Sequence, residues 1–87
     1  MKNRSKYEIF ADVLALCQKP MLRTRISQMC NLNMNQLMIY VRELKARGLL
    51  EEVNPGPENR TSFNRYLTTE KGREFLVTFE KLESVTA

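Results

Sequence analysis

The stretch Ile26-Ser-Gln-Met-Cys-Asn-Leu-Asn-Met-Asn-Gln-Leu-Met-Ile-Tyr-Val-Arg-Glu-Leu44 holds two short runs of helical apolar spacing, separated by Asn31-Leu32-Asn33. Ile26, Met29 and Cys30 fall on one side of the first run, and Leu37, Tyr40, Val41 and Leu44 on one side of the second. That is the spacing of helices with one inward face. Asn33 is a good N-cap, and Gln36 three residues later completes a capping box, so a new helix starts there. It runs to Arg47 and stops at Gly48, the residue type favoured just past a helix C-terminus. Leu49 to Val53 then reads as a strand.

Working outward, Ser5-Lys-Tyr-Glu8 is another capping box, opening a helix whose inward residues are Ile9, Phe10, Val13, Leu14 and Cys17. Asp12 and Gln18 are left to solvent. Pro20 ends that helix, because the residue before a proline avoids the α region. Met21-Leu22-Arg23 is a short extended piece, and Thr24 caps the helix that runs to about Cys30. On the other side, Ser62 to Thr68 is the antiparallel partner of Leu49–Val53. Asn54-Pro-Gly-Pro-Glu-Asn-Arg-Thr61 between them is a loop, since neither proline can donate a backbone hydrogen bond. Thr69 caps a last helix with the apolar stripe Phe75, Leu76, Phe79 and Leu82.

The order predicts a mostly α chain with a small β-hairpin (α+β), a winged helix-turn-helix. Residues 1–68 form the domain, residues 54–61 its wing, and residues 69–87 a C-terminal helix. Most winged-helix domains bind DNA, with the helix over residues 33–47 as the reading element in the major groove.

Eighty-seven residues make one small domain, burying only about 60–65% of the surface of the unfolded chain. No apolar run approaches the roughly 18–20 residues of a membrane span, and the basic N-terminus leads into an amphipathic helix rather than a signal core. The expected location is the cytoplasm, at the nucleoid, with no membrane partner. The net charge of +4 is uneven: residues 1–50 carry nine Lys/Arg against three Asp/Glu, and residues 51–87 five against seven. The basic half contains the helix-turn-helix, and clustered positive charge supplies the salt-dependent part of phosphate binding.

Cys17 and Cys30 with no histidine in the chain do not make a zinc site. They read as buried reduced thiols rather than a redox pair. No nucleophile–base pair, phosphate-cradling glycine loop or metal cluster is visible, so an enzyme is not expected, and no cofactor.

On the third helix, Asn35, Ile39, Arg42 and Ala46 lie opposite the inward stripe, with Gln36, Met38 and Lys45 beside them. Asparagine bonds adenine N6/N7 in pairs and arginine guanine O6/N7, the pairings a major-groove helix uses. Met38 and Ile39 admit three partners: thymine methyl groups, another protein, or residues 1–4 of this chain. Arg23 and Arg25 at the entry to the second helix, and Arg60 and Arg65 beside the wing, are candidate phosphate contacts that position without reading sequence.

The blocks Arg4-Ser-Lys-Tyr-Glu-Ile9, Thr24-Arg-Ile26, Asn31-Leu-Asn33, Arg47-Gly-Leu-Leu-Glu51 and Thr68-Thr-Glu-Lys-Gly-Arg-Glu-Phe-Leu76 span nearly the whole chain. In this order they resemble the small archaeal winged-helix proteins of about ten kilodaltons, which include chromatin-associated DNA-binding proteins and transcriptional regulators. The resemblance implies a homodimer paired through the last helix, with Phe75, Leu76, Phe79 and Leu82 in the seam. At about 18 residues, the helix here spans only two to three heptads. Two functions follow from these readings. The first is a dimeric double-stranded-DNA-binding protein, either a transcriptional regulator or a nucleoid architectural factor. The alternative is a winged-helix module that binds protein within a larger assembly, which the apolar Met38 and Ile39 favour.

Overall fold

The computed structural model describes residues 4–53 and 64–86. In chain order the elements are α1 (Lys6–Leu16), β1 (Met21–Leu22), α2 (Arg23–Met29), α3 (Met34–Ala46), β2 (Leu50–Val53), β3 (Arg65–Thr68) and α4 (Glu70–Thr86). The strands form one antiparallel sheet in the order β1-β3-β2. The expected mostly α chain with a small sheet is what forms. Residues 54–61, expected to be the wing, lie outside the described residues, as do Ser62 and Phe63 at the start of the second expected strand.

The starts of α1 and α3 have local causes. The Ser5 hydroxyl accepts from the Glu8 amide at 3.1 Å while the Glu8 carboxylate accepts from the Ser5 amide at 3.2 Å. The Asn33–Gln36 pair repeats this closed box at 2.8 and 3.1 Å. Such boxes satisfy amide groups that the helix leaves without intrahelical partners. Between α2 and α3, Asn31 takes the left-handed conformation with φ 55°, which asparagine tolerates better than most residues. The turn closes through Leu32 N–H to the Ser27 carbonyl at 3.0 Å and Ser27 O–H to the Leu32 carbonyl at 2.8 Å. At the end of α3, Gly48 (φ 74°) donates to the Lys45 carbonyl and Leu49 to the Leu44 carbonyl. That is the Schellman pattern, which leads the chain straight into β2.

Two expectations about α2 are corrected. Thr24 does not cap it: the helix begins at Arg23 with Leu22 at the N-cap and no side-chain bond. Pairing of Leu22 with Arg65 fixes the entry from the sheet side instead. Met29 is not inward either, being 61% exposed. Ile26 and Cys30, four apart, hold the core face, whereas Met29 stands on a flank bordered by Asp12 and Ala15 of α1.

The core joins Phe10, Val13 and Leu14 of α1, Ile26 of α2, Leu37, Val41 and Leu44 of α3, Leu50, Tyr66 and Leu76. Buried Thr68 ties β3 to the end of α1, donating its hydroxyl to the Leu14 carbonyl at 2.7 Å and its amide to the Cys17 carbonyl at 2.8 Å. Thr69 is the N-cap of α4: its hydroxyl accepts from the Gly72 amide at 3.1 Å and donates to the Gly48 carbonyl at 2.6 Å. The expected apolar stripe of α4 divides along its length. Leu76 is buried in its own chain's core, so it offers no side chain to an outer seam. Phe75 and Phe79 are half-buried, with stacked rings 6.0 Å apart, and Leu82 is 59% exposed.

Candidate nucleic-acid interface

The register that buries Leu37, Val41 and Leu44 turns Asn35, Ile39, Arg42 and Ala46 outward, and all four are exposed. Arg42 pairs with no acidic side chain among the described residues. Three other cations are paired within the fold. Arg47 is bonded through Nε and Nη2 to the Glu43 carboxylate at 3.1 and 2.9 Å, and Lys6 meets the same carboxylate at 2.8 Å. Hydrogen bonding from Lys6, helped by Arg47, holds Glu43 below the usual carboxylate range. Arg4 pairs with Asp12 at 2.7 Å and also donates to the Cys30 carbonyl.

The other candidates divide. Gln36 is exposed, but its carbonyl oxygen belongs to the α3 cap. Ile39 is 61% exposed and Met38 half-buried, so the apolar patch on this face is centred on Ile39. Of the N-terminal residues expected as a possible cover, Arg4 is engaged at Asp12 and Cys30, and residues 1–3 lie outside the described set. Lys45 is bonded to Glu52 at 2.7 Å, which raises its pKa. Arg25 is exposed on α2, and half-buried Arg23 opens that helix. Half-buried Arg65 sits on the central strand opposite Val53 and Leu22. Arg60 lies outside the described residues.

Glu52 and Asn64 were not legible as site residues. The Glu52 carboxylate accepts from Lys45 on one oxygen and from Asn64 at 2.6 Å on the other. These bonds, Lys45 first, hold Glu52 below the usual carboxylate range. The Gly48 turn brings Lys45 and Glu52 together, and the pairing of β2 with β3 brings Asn64 to them.

Cys17 and Cys30 are both free and buried. Burial, with the other thiol second, pushes Cys17 up to about 12; burial also raises Cys30. Among the described residues no group of three or more His, Cys, Asp or Glu is placed to hold a metal ion.

A capped helix-turn-helix feeding an antiparallel strand pair agrees with the family model that matches the sequence, described as winged helix-turn-helix and covering residues 3–87. The chain belongs to the winged helix-turn-helix family. Solved structures share the fold of this winged-helix chain. One is a MarR family transcription regulator, with TM-score 0.76 and 17% identity over 97% of this chain and 54% of that one. Another is CouR from Rhodococcus jostii RHA1 bound to p-coumaroyl-CoA, with TM-score 0.70 and 19% identity over 91% of this chain and 54% of that one. A third is the zinc-responsive MarR family member ZitR of Lactococcus lactis, with TM-score 0.54 and 17% identity over 94% and 62%. The chain therefore spans about half the length of the first two, at 54% each. No curated protein matches the sequence.

Proposed function

We propose that this winged-helix chain binds double-stranded DNA as a transcriptional regulator or nucleoid-associated architectural protein, with α3 in the major groove. The observation that carries this reading is the outer face of α3. Asn35 and Arg42, the two residue types suited to paired bonds with base edges, are both exposed there. Arg42 keeps its charge unpaired among the described residues, while Arg47 and Lys6 share the Glu43 carboxylate and Arg4 pairs with Asp12. A regulatory role draws support from a structural neighbour named as a MarR family transcription regulator and another named as a zinc-responsive MarR family member. In its finer form the reading is that of the small archaeal chromatin-associated or regulatory proteins, placed at the nucleoid.

The active form is a homodimer. Support comes from α4, where Phe75, Thr78, Phe79 and Leu82 join Tyr7 of α1 around an open, wholly apolar groove of about 330 Å³. Partly exposed aromatic rings and an exposed leucine side by side are the makings of a protein contact.

Equilibrium binding to a random duplex across a salt series tests the reading. Log affinity should fall linearly with log salt, with a slope reflecting on the order of 6–10 neutralised phosphates per dimer. No binding at about 50 mM salt, or affinity indifferent to salt, overturns it. The exposure of Ile39 favours a second reading, a protein-binding module; loss of a protein partner in Ile39→Ala, with no duplex binding by the wild type, would put that reading first.

A further inference from the structure

We propose that Glu52 sets the DNA affinity of this protein, by tying the strand pair to α3 and holding Lys45 out of use until a duplex displaces it; this rests on the duplex-binding reading above. One carboxylate spends both oxygens on two different segments. Oε1 accepts from Lys45 Nζ in the last turn of α3 at 2.7 Å, and Oε2 accepts from Asn64 Nδ2, just before β3, at 2.6 Å. Glu52 itself lies on β2 opposite Tyr66. Arg23 at the start of α2 also acts electrostatically on Glu52 and Tyr66. The hydrogen bonds thus join the last turn of α3 to β2 and to the residue just before β3.

The chemistry of this cluster is hard to account for as stabilisation. The Lys45 and Glu52 side chains are 42% and 33% exposed, and pairs this open to water contribute little to folding. An acid set among cations meant for phosphate weakens general attraction to DNA. Glu52 removes Lys45 from the charge on offer, and a phosphate must compete with a formed bond to recruit it. Non-cognate duplexes, seated loosely, leave the bond intact. A duplex that seats α3 deeply brings its phosphate within reach of Lys45 and takes the charge over. Glu52 therefore lowers non-specific binding more than specific binding.

The test is Glu52→Gln, which keeps the length of the side chain, removes its charge and leaves one accepting oxygen where the carboxylate has two. Random-duplex affinity should rise on the order of tenfold at about 50 mM salt, and the log–log slope should steepen by about one per bound chain, the signature of one more phosphate contact. The ratio of preferred-site to random affinity should fall. Adding Lys45→Met should abolish both the gain and the extra slope. A purely structural role predicts the opposite: weaker binding and a lower melting temperature in Glu52→Gln. The proposal is overturned by that result, by an unchanged slope, or by a gain that survives Lys45→Met. Absence of binding by the wild type at low salt would instead remove the duplex reading and this one with it.

Discussion

Gly72, in the first turn of α4, lies so close to Leu49 that a Cβ added to it would overlap the Leu49 carbonyl oxygen and come within 2.6 Å of the Thr68 methyl group. That carbonyl also accepts the Thr69 amide at 3.1 Å, so it is not free to move away. A helical glycine is about 1 kcal/mol less favourable than alanine, and here it permits backbone contact between α4 and the end of the Gly48 turn. The Thr68-Thr-Glu-Lys-Gly72 block thus has a physical content: a buried anchor, a cap, and a gap for the neighbouring chain. Gly72→Ala should cost about 1–3 kcal/mol, the usual range for overpacking. Urea denaturation checks this; unchanged stability would show that α4 can shift without penalty.

What could be read from the sequence was what neighbouring residues decide. The Ser5–Glu8 and Asn33–Gln36 boxes and the Gly48 stop each close within about a helical turn, and all three form as expected. The outward setting of Asn35, Ile39 and Arg42 follows directly from the inward Leu37, Val41 and Leu44. Features that depend on distant elements were not legible. Sheet pairing at Leu22 displaces Thr24 as a cap, and α1 leaves the Met29 flank uncovered. Packing of α4 on α1 draws Leu76 into the core and away from the stripe it shares with Leu82. The Lys45–Glu52–Asn64 cluster needs helix and strands in place, and no spacing announces it.

The buried thiols should be inert at neutral pH and couple stability to alkaline pH. Cys17 ionises near 9.0 when unfolded and at about 12 in the fold, chiefly because burial disfavours the thiolate. Native protein at pH 8 should therefore resist a chromogenic disulfide reagent at both cysteines, and guanidinium-unfolded protein should react fully. Above pH 9.0 the unfolded chain loses this proton while the folded chain keeps it up to about 12. The thiol's contribution is whole below that window and is lost as pH rises through it, by about 1.4 kcal/mol per pH unit at most. Denaturation midpoints across the window, compared with Cys17→Ala, should isolate the effect. Rapid native labelling of Cys17 would contradict its burial.

Leu82 is exposed where Leu76 is buried, and this separates self-association from folding. Each large apolar side chain buried in an interface contributes about 1.5–3 kcal/mol. On the proposed dimer, Leu82→Asp should yield a folded monomer by light scattering, with helical circular dichroism retained. Phe79→Asp, Leu82→Asp together should do so more completely, with some loss of stability because Phe79 packs against the core. Leu76→Asp should simply unfold the chain. A Leu82→Asp, Phe79→Asp protein that is folded and still dimeric would move the interface elsewhere, with Ile39 the first alternative.

Arg42 is the sharpest test of the reading element. It stands outward on α3 with no acidic partner among the described residues, and its fork suits guanine O6/N7. Truncation should leave folding intact, since the buried Leu37, Val41 and Leu44 are untouched. If Arg42 reads a base, Arg42→Ala should lose about 1–3 kcal/mol on a preferred site and relax preference at one base pair. If it meets only phosphate, all sequences should weaken alike and the salt slope should fall by about one. Selection from random duplexes followed by a salt series on wild type and variant separates the two. Asn35→Ala should relax preference at an adenine, and Arg60→Ala should lower affinity without altering preference. Wild-type affinity and selectivity in Arg42→Ala across the whole series would remove α3 as the reading helix.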